Sequence, residues 1–274
     1  MTVQDAANWP SRALARPRLL AVACIGVLAA AGWAYLGLML AGMSGAGFLE
    51  ALCRPTFGTA TAGGTEAALV LAMWCAMAFA MMLPTAAPMI LTYAEIAETA
   101  ARKGEPAASP LVLTAGYVGV WLGAAVALAA LHLILARMSL LDPAMASASP
   151  LFSGAVFIGA GLYQFSALKH ACVMQCRHPF QFVFAYWTTQ PLGVFRLGLR
   201  QGLYCLGCCW AMMLLMFAVG VMNVIWMAAL GAVMTIEKIN TTTRFSRALG
   251  IVFIVAGVAF IATSVAAQWP ARAG

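Results

Sequence analysis

Seven runs of apolar residues set the terms for this chain, because a run of about 20 such residues is long enough to cross the hydrocarbon of a bilayer as a helix. The runs are Leu19–Leu40, Ala67–Tyr93, Leu111–Ala136, Leu151–Ala171, Leu199–Val219, Asn223–Ile236 and Leu249–Ala266. They predict an all-α fold: a polytopic transmembrane helical bundle of about seven spans. The sixth run is short and follows the fifth closely at "VGVMN", so it is a tilted or partial span. Only 8% of the 274 residues are charged, against about 25% in a soluble domain. No stretch is polar enough for a separate soluble domain. The chain therefore divides into an N-terminal tail at 1–18, a transmembrane domain at 19–266 and a C-terminal tail at 267–274. Its first apolar run is too long for a signal-peptide core of roughly 7–15 residues and reads as a retained span.

The net charge of +7 is not a nucleic-acid signal in such a chain, since basic residues near spans mostly set orientation. With the N-terminus cytoplasmic, Arg12, Arg16, Arg18, Arg102, Lys103, Lys169, Arg177, Arg196, Arg200, Lys238, Arg244 and Arg247 fall inside. Only Arg54, Arg137 and Arg272 fall outside, so the bias selects a cytoplasmic N-terminus. Pro84 and Pro88 interrupt the second run, and a proline frees a helical carbonyl that a neighbour must satisfy. Gly119 and Gly123 have the small-xxx-small spacing of close helix packing. Residues 170–199 are expected to form an inner loop at the interface. Its aromatics Phe180, Phe182, Phe184, Tyr186 and Trp187 suit the headgroup level, as an anchor or as a lid.

The chemistry is in sulfur. In "LYCLGCCWAMMLLMF", Cys205, Cys208, Cys209 and Met212 follow i, i+3, i+4, i+7 and share one helical face. In "LKHACVMQCRHPF", Cys172 and Cys176 are four apart and share another, flanked by His170 and His178. The orientation puts both groups in the cytoplasmic half, on helices adjacent in sequence. Met81 and Met82 of the second run reach the same half. Thiolates and thioethers select soft metals, and so much methionine favours Cu(I) over zinc or iron. The alternative for each residue is plain packing, because free cysteine and methionine also fill cores. Cys24 and Cys53 are assigned to packing, and Cys75 is divided evenly between the two. His132 reads as a packing histidine. Glu237, which ends the sixth run, has no long stem to snorkel with. It is expected to face the interior and contact the metal site or Lys169. Lys169 and Lys238 are expected to snorkel to the surface.

"MAFAMMLPTAAPM", "YQFSALKHACVMQCRHPF", "GLYCLGCCWAMMLLMFAVGVMN" and "TIEKI" together resemble the bacterial family of predicted metal-binding integral membrane proteins, for which copper handling has been suggested. The resemblance covers roughly the second to sixth spans. It implies an all-helical protein of the bacterial inner membrane and no particular reaction. The matching residues are Lys169, Cys172, Cys176, Arg177, Cys205, Cys208, Cys209, Trp210, Asn223, Glu237 and Lys238.

Three functions compete. The first is a membrane protein that holds or delivers Cu(I), with Cys172, Cys176, Cys205, Cys208, Cys209, Met81, Met82, Met212, Glu237, His170 and His178 as candidate ligands. Lys169, Arg177, Trp210, Asn223 and Lys238 would support them from behind. The second is a thiol–disulfide oxidoreductase using the C-x-x-C pair Cys205 and Cys208. The third is a non-catalytic subunit of a membrane metalloenzyme complex. The balance leans away from an enzyme, and an ATP-driven pump lacks its phosphate-binding loop. The expected partners are the lipid bilayer, the metal ion, and a complex partner or second copy of the chain.

Overall fold

The computed structural model describes residues 17–42, 63–141, 149–221, 223–240 and 242–272. Arg12, Arg16, Cys53, Arg54 and most of the N-terminal tail lie outside the described residues. Within them the chain is all-helical: α1 Pro17–Gly42, α2 Gly63–Arg102, α3 Pro110–Arg137, α4 Pro150–Tyr163, α5 Ala167–Arg177, α6 Pro179–Ala185, α7 Pro191–Val219, α8 Val224–Ile239 and α9 Thr243–Arg272.

Five of these helices, α1, α2, α3, α7 and α9, are long and apolar enough to cross a membrane. The fourth expected span is not one rod. It breaks into α4 and α5, bent by 64°, and the pair makes a sixth crossing only if counted together. The break has a local cause. Ser166 adopts an extended conformation and its side chain accepts from Lys169 N, capping a new helix. The sixth expected span, α8, has 16 residues and falls short of a crossing length. The expected loop at 170–199 is mostly helical, formed by the end of α5, by α6 and by the start of α7. The expected C-terminal tail is helical as far as Arg272.

Helix α7 is the hub, packed against α3, α4, α5 and α8, while α2 gathers α1, α3, α6 and α8 and α9 lies along α4. Glycine lets these axes close. A Cβ on Gly198 would overlap Leu113 O, and one on Gly116 would overlap Phe195 O, so α3 and α7 touch backbone to backbone. Gly119 and Gly123 do not take part, for a Cβ on either meets nothing within 4 Å. The close seam lies on the neighbouring face of α3.

Pro84 and Pro88 sit inside a continuous α2 rather than at a break. The carbonyl that Pro84 leaves without its helical donor is that of Ala80, and Trp33 Nε1 of α1 donates to it at 3.0 Å. Phe182 and Trp187 fold inward, the latter with its ring 5.8 Å from that of Tyr93 on α2. Arg200 lies 4.6 Å from the ring centre of Tyr186.

Candidate metal centre

Because α7 begins at Pro191 and not at Leu199, Cys205, Cys208 and Cys209 lie at its mid-length, all buried. They are free thiols. Cys208 Sγ donates to Cys205 O at 3.1 Å and stands 3.3 Å from Cys209 Sγ. Cys205 and Cys209 also interact through their side chains. Met212, one turn on, is buried behind them.

Helix α5 brings the other two thiols to the same region. Cys176 interacts with Cys208 and accepts a long contact of 3.7 Å from Gln201 Nε2. Cys172 is packed against α7 where Gly207 leaves room, since a Cβ there would lie 2.6 Å from its sulfur. Tyr163 OH donates to the Gly207 carbonyl and so holds the end of α4 at this point.

The charges around the thiols differ from expectation. Lys238 does not snorkel. It is 8% exposed, and its ammonium donates to Thr85 Oγ1 at 2.7 Å and to Cys205 Sγ at 3.0 Å. Among the described residues no carboxylate pairs with it. The Tyr117 hydroxyl bridges Met82 O, at 2.9 Å, and Cys205 Sγ, at 3.0 Å. Cys205 thus receives a hydrogen bond from Lys238 and lies against a tyrosine hydroxyl whose proton goes to Met82 O, all in an apolar core. An anionic sulfur suits that position best, because a buried ammonium needs a counter-charge.

Lys169 does not snorkel either. It is 2% exposed and pairs with Glu237 Oε2 at 2.8 Å. Of the two contacts expected for Glu237, the structure has the one to Lys169. Arg177 donates from Nε and Nη2 to the Glu237 carbonyl, at 3.0 and 2.9 Å, and caps the C-terminal end of α8. Glu237 therefore fastens α8 to α5, while its neighbour Lys238 turns towards α2 and α7.

The remaining candidates divide. Met81 packs under Gly231 of α8, and Met82 presents its carbonyl to Tyr117 and Thr85. His170 is exposed on α5 and His178 is half-buried at the α5–α6 junction. Trp210 is 42% exposed, with its ring against Tyr163, and Asn223 caps the start of α8 by accepting from Trp226 N. Cys24 and Cys75 are half-buried free thiols. His132 is buried, with its ring 5.9 Å from that of Phe217.

No three Cys, His, Asp or Glu side chains among the described residues form a ready-made metal shell. One sulfur spacing shows what loading would require. Two thiolates on one ion, each with a bond of about 2.3 Å, stand about 4.0 Å apart in a trigonal site and about 4.6 Å apart in a linear one. The Cys208 and Cys209 sulfurs, at 3.3 Å, are in thiol contact and would have to part by roughly 1 Å. Tyr117, Thr85 and Gln201 were not among the sequence candidates, although each is a polar residue in an apolar stretch, and that is the signal that could have found them.

Fold and centre together define a class: an all-helical chain with long apolar helices and a buried cluster of thiols beside a lysine. The chain belongs to the PpoB2 family, described as copper chaperones, whose model matches residues 71–260. That segment covers most of α2, all of α3 to α8 and most of α9, and so all the cysteines of the centre. No curated protein and no solved structure matches the chain.

Proposed function

We propose that this chain is an integral protein of the bacterial inner membrane, N-terminus cytoplasmic, that binds Cu(I) as cargo on Cys205, Cys208 and Cys209 and passes it on. The observation that carries this reading is the Lys238–Cys205 contact within a cluster of soft donors. Cu(I) is satisfied by two or three thiolates, and two thiolates with one Cu(I) carry a net charge of −1. The Lys238 ammonium balances that charge inside a low-dielectric core, where an unbalanced ion is costly. Cys176 and Cys172 on α5 offer further thiols at the edge of the cluster, a route by which the ion is exchanged rather than locked in. Loading releases thiol protons, so it is pH-dependent in the direction of tighter binding as pH rises.

The oxidoreductase reading fits less well. Cys205 and Cys208 are each about 1% exposed, and a protein disulfide has no approach to them, whereas a metal ion needs only an exchange of ligands. The deciding experiment is metal analysis of the full chain purified from membranes and loaded with Cu(I) under reducing conditions. Copper bound at a fixed ratio through sulfur, seen by X-ray absorption and lost in the Cys205→Ala/Cys208→Ala/Cys209→Ala variant, is the expected result. A chain that stays folded and binds as much copper without these three sulfurs would overturn the site.

A further inference from the structure

The bend between α4 and α5 opens a cavity of about 490 Å³ against the start of α9. Its volume falls in the usual range for small-molecule sites, about 300–1,000 Å³. Lys169, Arg177 and Arg247 line it, and none of its lining residues is acidic. Ser166 at the start of α5 and Thr243 at the start of α9 also line it. The starts of two helices thus face the same space as Arg177 and Arg247, while the charge of Lys169 is already balanced by Glu237.

One group in the cavity asks for something else. Gln164 is 6% exposed, and its Oε1 has no hydrogen-bond partner among the described residues. A bare oxyanion would satisfy the two arginines and leave this acceptor without a donor. Phe165 and Val173 add an apolar wall.

We propose that this cavity binds a phosphodiester whose headgroup carries hydroxyls, the chemistry of an anionic glycerophospholipid such as phosphatidylglycerol. The phosphate lies between Arg177 and Arg247, a headgroup hydroxyl donates to Gln164, and the apolar wall meets the glycerol and the start of the chains. Basic pockets between helices at a membrane surface take anionic headgroups in this way. The site stands whether or not copper is the cargo of the thiol cluster.

The test uses the full chain in a neutral detergent, with bound lipid counted by native mass spectrometry. Short-chain phosphatidylglycerol is compared with short-chain phosphatidylcholine, with inorganic phosphate, and with the deacylated diester glycerophosphoglycerol. Phosphatidylglycerol is expected to bind one per chain and to outcompete phosphatidylcholine. Arg247→Gln, at an exposed position where folding is safe, is expected to weaken it about fivefold, the factor for about 1 kcal/mol per basic residue. Binding of the acylated form alone identifies a bilayer lipid as the ligand, and equal binding of the deacylated form identifies a soluble diester. Either supports the site. Phosphatidylcholine or inorganic phosphate binding as tightly as phosphatidylglycerol, or Arg247→Gln binding as the parent does, would overturn it.

Discussion

The ammonium of Lys238 lies 3.0 Å from the sulfur of Cys205, with Thr85 and no carboxylate completing its surroundings among the described residues. A buried cation so placed gives the thiol cluster a fixed charge to work against. If that charge supports the bound metal, Lys238→Met weakens Cu(I) binding by the worth of a charged hydrogen bond, about 1.5–3 kcal/mol, or tenfold and more. Lys238→Arg keeps the charge and is expected to recover part of the loss. Competition against a colorimetric Cu(I) chelator measures both variants. An unchanged affinity for Lys238→Met would reduce the lysine to a strut between α8 and α2.

The Lys169–Glu237 pair gives the opposite expectation. Both groups are buried, so Glu237→Gln leaves an ammonium without a counter-charge, which typically costs about 3–5 kcal/mol. The thermal midpoint in detergent is expected to fall clearly. Lys169→Met combined with Glu237→Gln is expected to recover most of it, because the stranded charge is gone. Copper bound per folded chain should stay near the parent's, since Glu237 touches Lys169 and not the thiols. A loss of copper without a loss of stability would place Glu237 at the metal instead.

Packing against α3 separates Gly198 of α7 from Gly119 and Gly123 of α3. Gly198→Ala puts a methyl group into the backbone of Leu113, where neither helix can yield without moving apart. The expected cost is about 1–3 kcal/mol or more, read as a lower thermal midpoint. Gly119→Ala and Gly123→Ala have open space and are expected to leave stability unchanged. Equal damage from all of them would mean that the exposed face of α3 has a partner.

What the sequence disclosed and what it hid follow from the physics of each signal. The long helices were legible because continuous apolar runs have few other uses. The kink at Gln164–Ser166 was not, because the apolar run continues past it on both sides and the cap is a single serine. The thiol face of α7 was legible from i, i+3, i+4 spacing alone. The inward turn of Lys238 was hidden, since a lysine at the end of an apolar run reads as snorkelling unless one knows that α8 is too short to cross and lies against α2 and α7. Its partner Thr85, and Tyr117 that also contacts Cys205, come from two other helices. Only the fold brings them to Cys205.

The last prediction concerns how α2 stays whole. Pro84 has no N–H, so the Ala80 carbonyl loses its helical donor, and Trp33 Nε1 supplies a replacement at 3.0 Å. The two residues should therefore be coupled. In the parent, Trp33→Phe keeps most of the ring but leaves a buried carbonyl unpaired, at a cost of about 1–3 kcal/mol. In a Pro84→Ala background the helix supplies its own N–H to Ala80, so the same change should cost much less. Thermal unfolding of the four proteins closes a double-mutant cycle, and the expected coupling is about 1 kcal/mol or more in the sense that each change relieves the other. The sign carries the argument. If Trp33→Phe costs as much with alanine at 84 as with proline, the indole is there to pack α1 against α2, and the helix carries its proline by some other means.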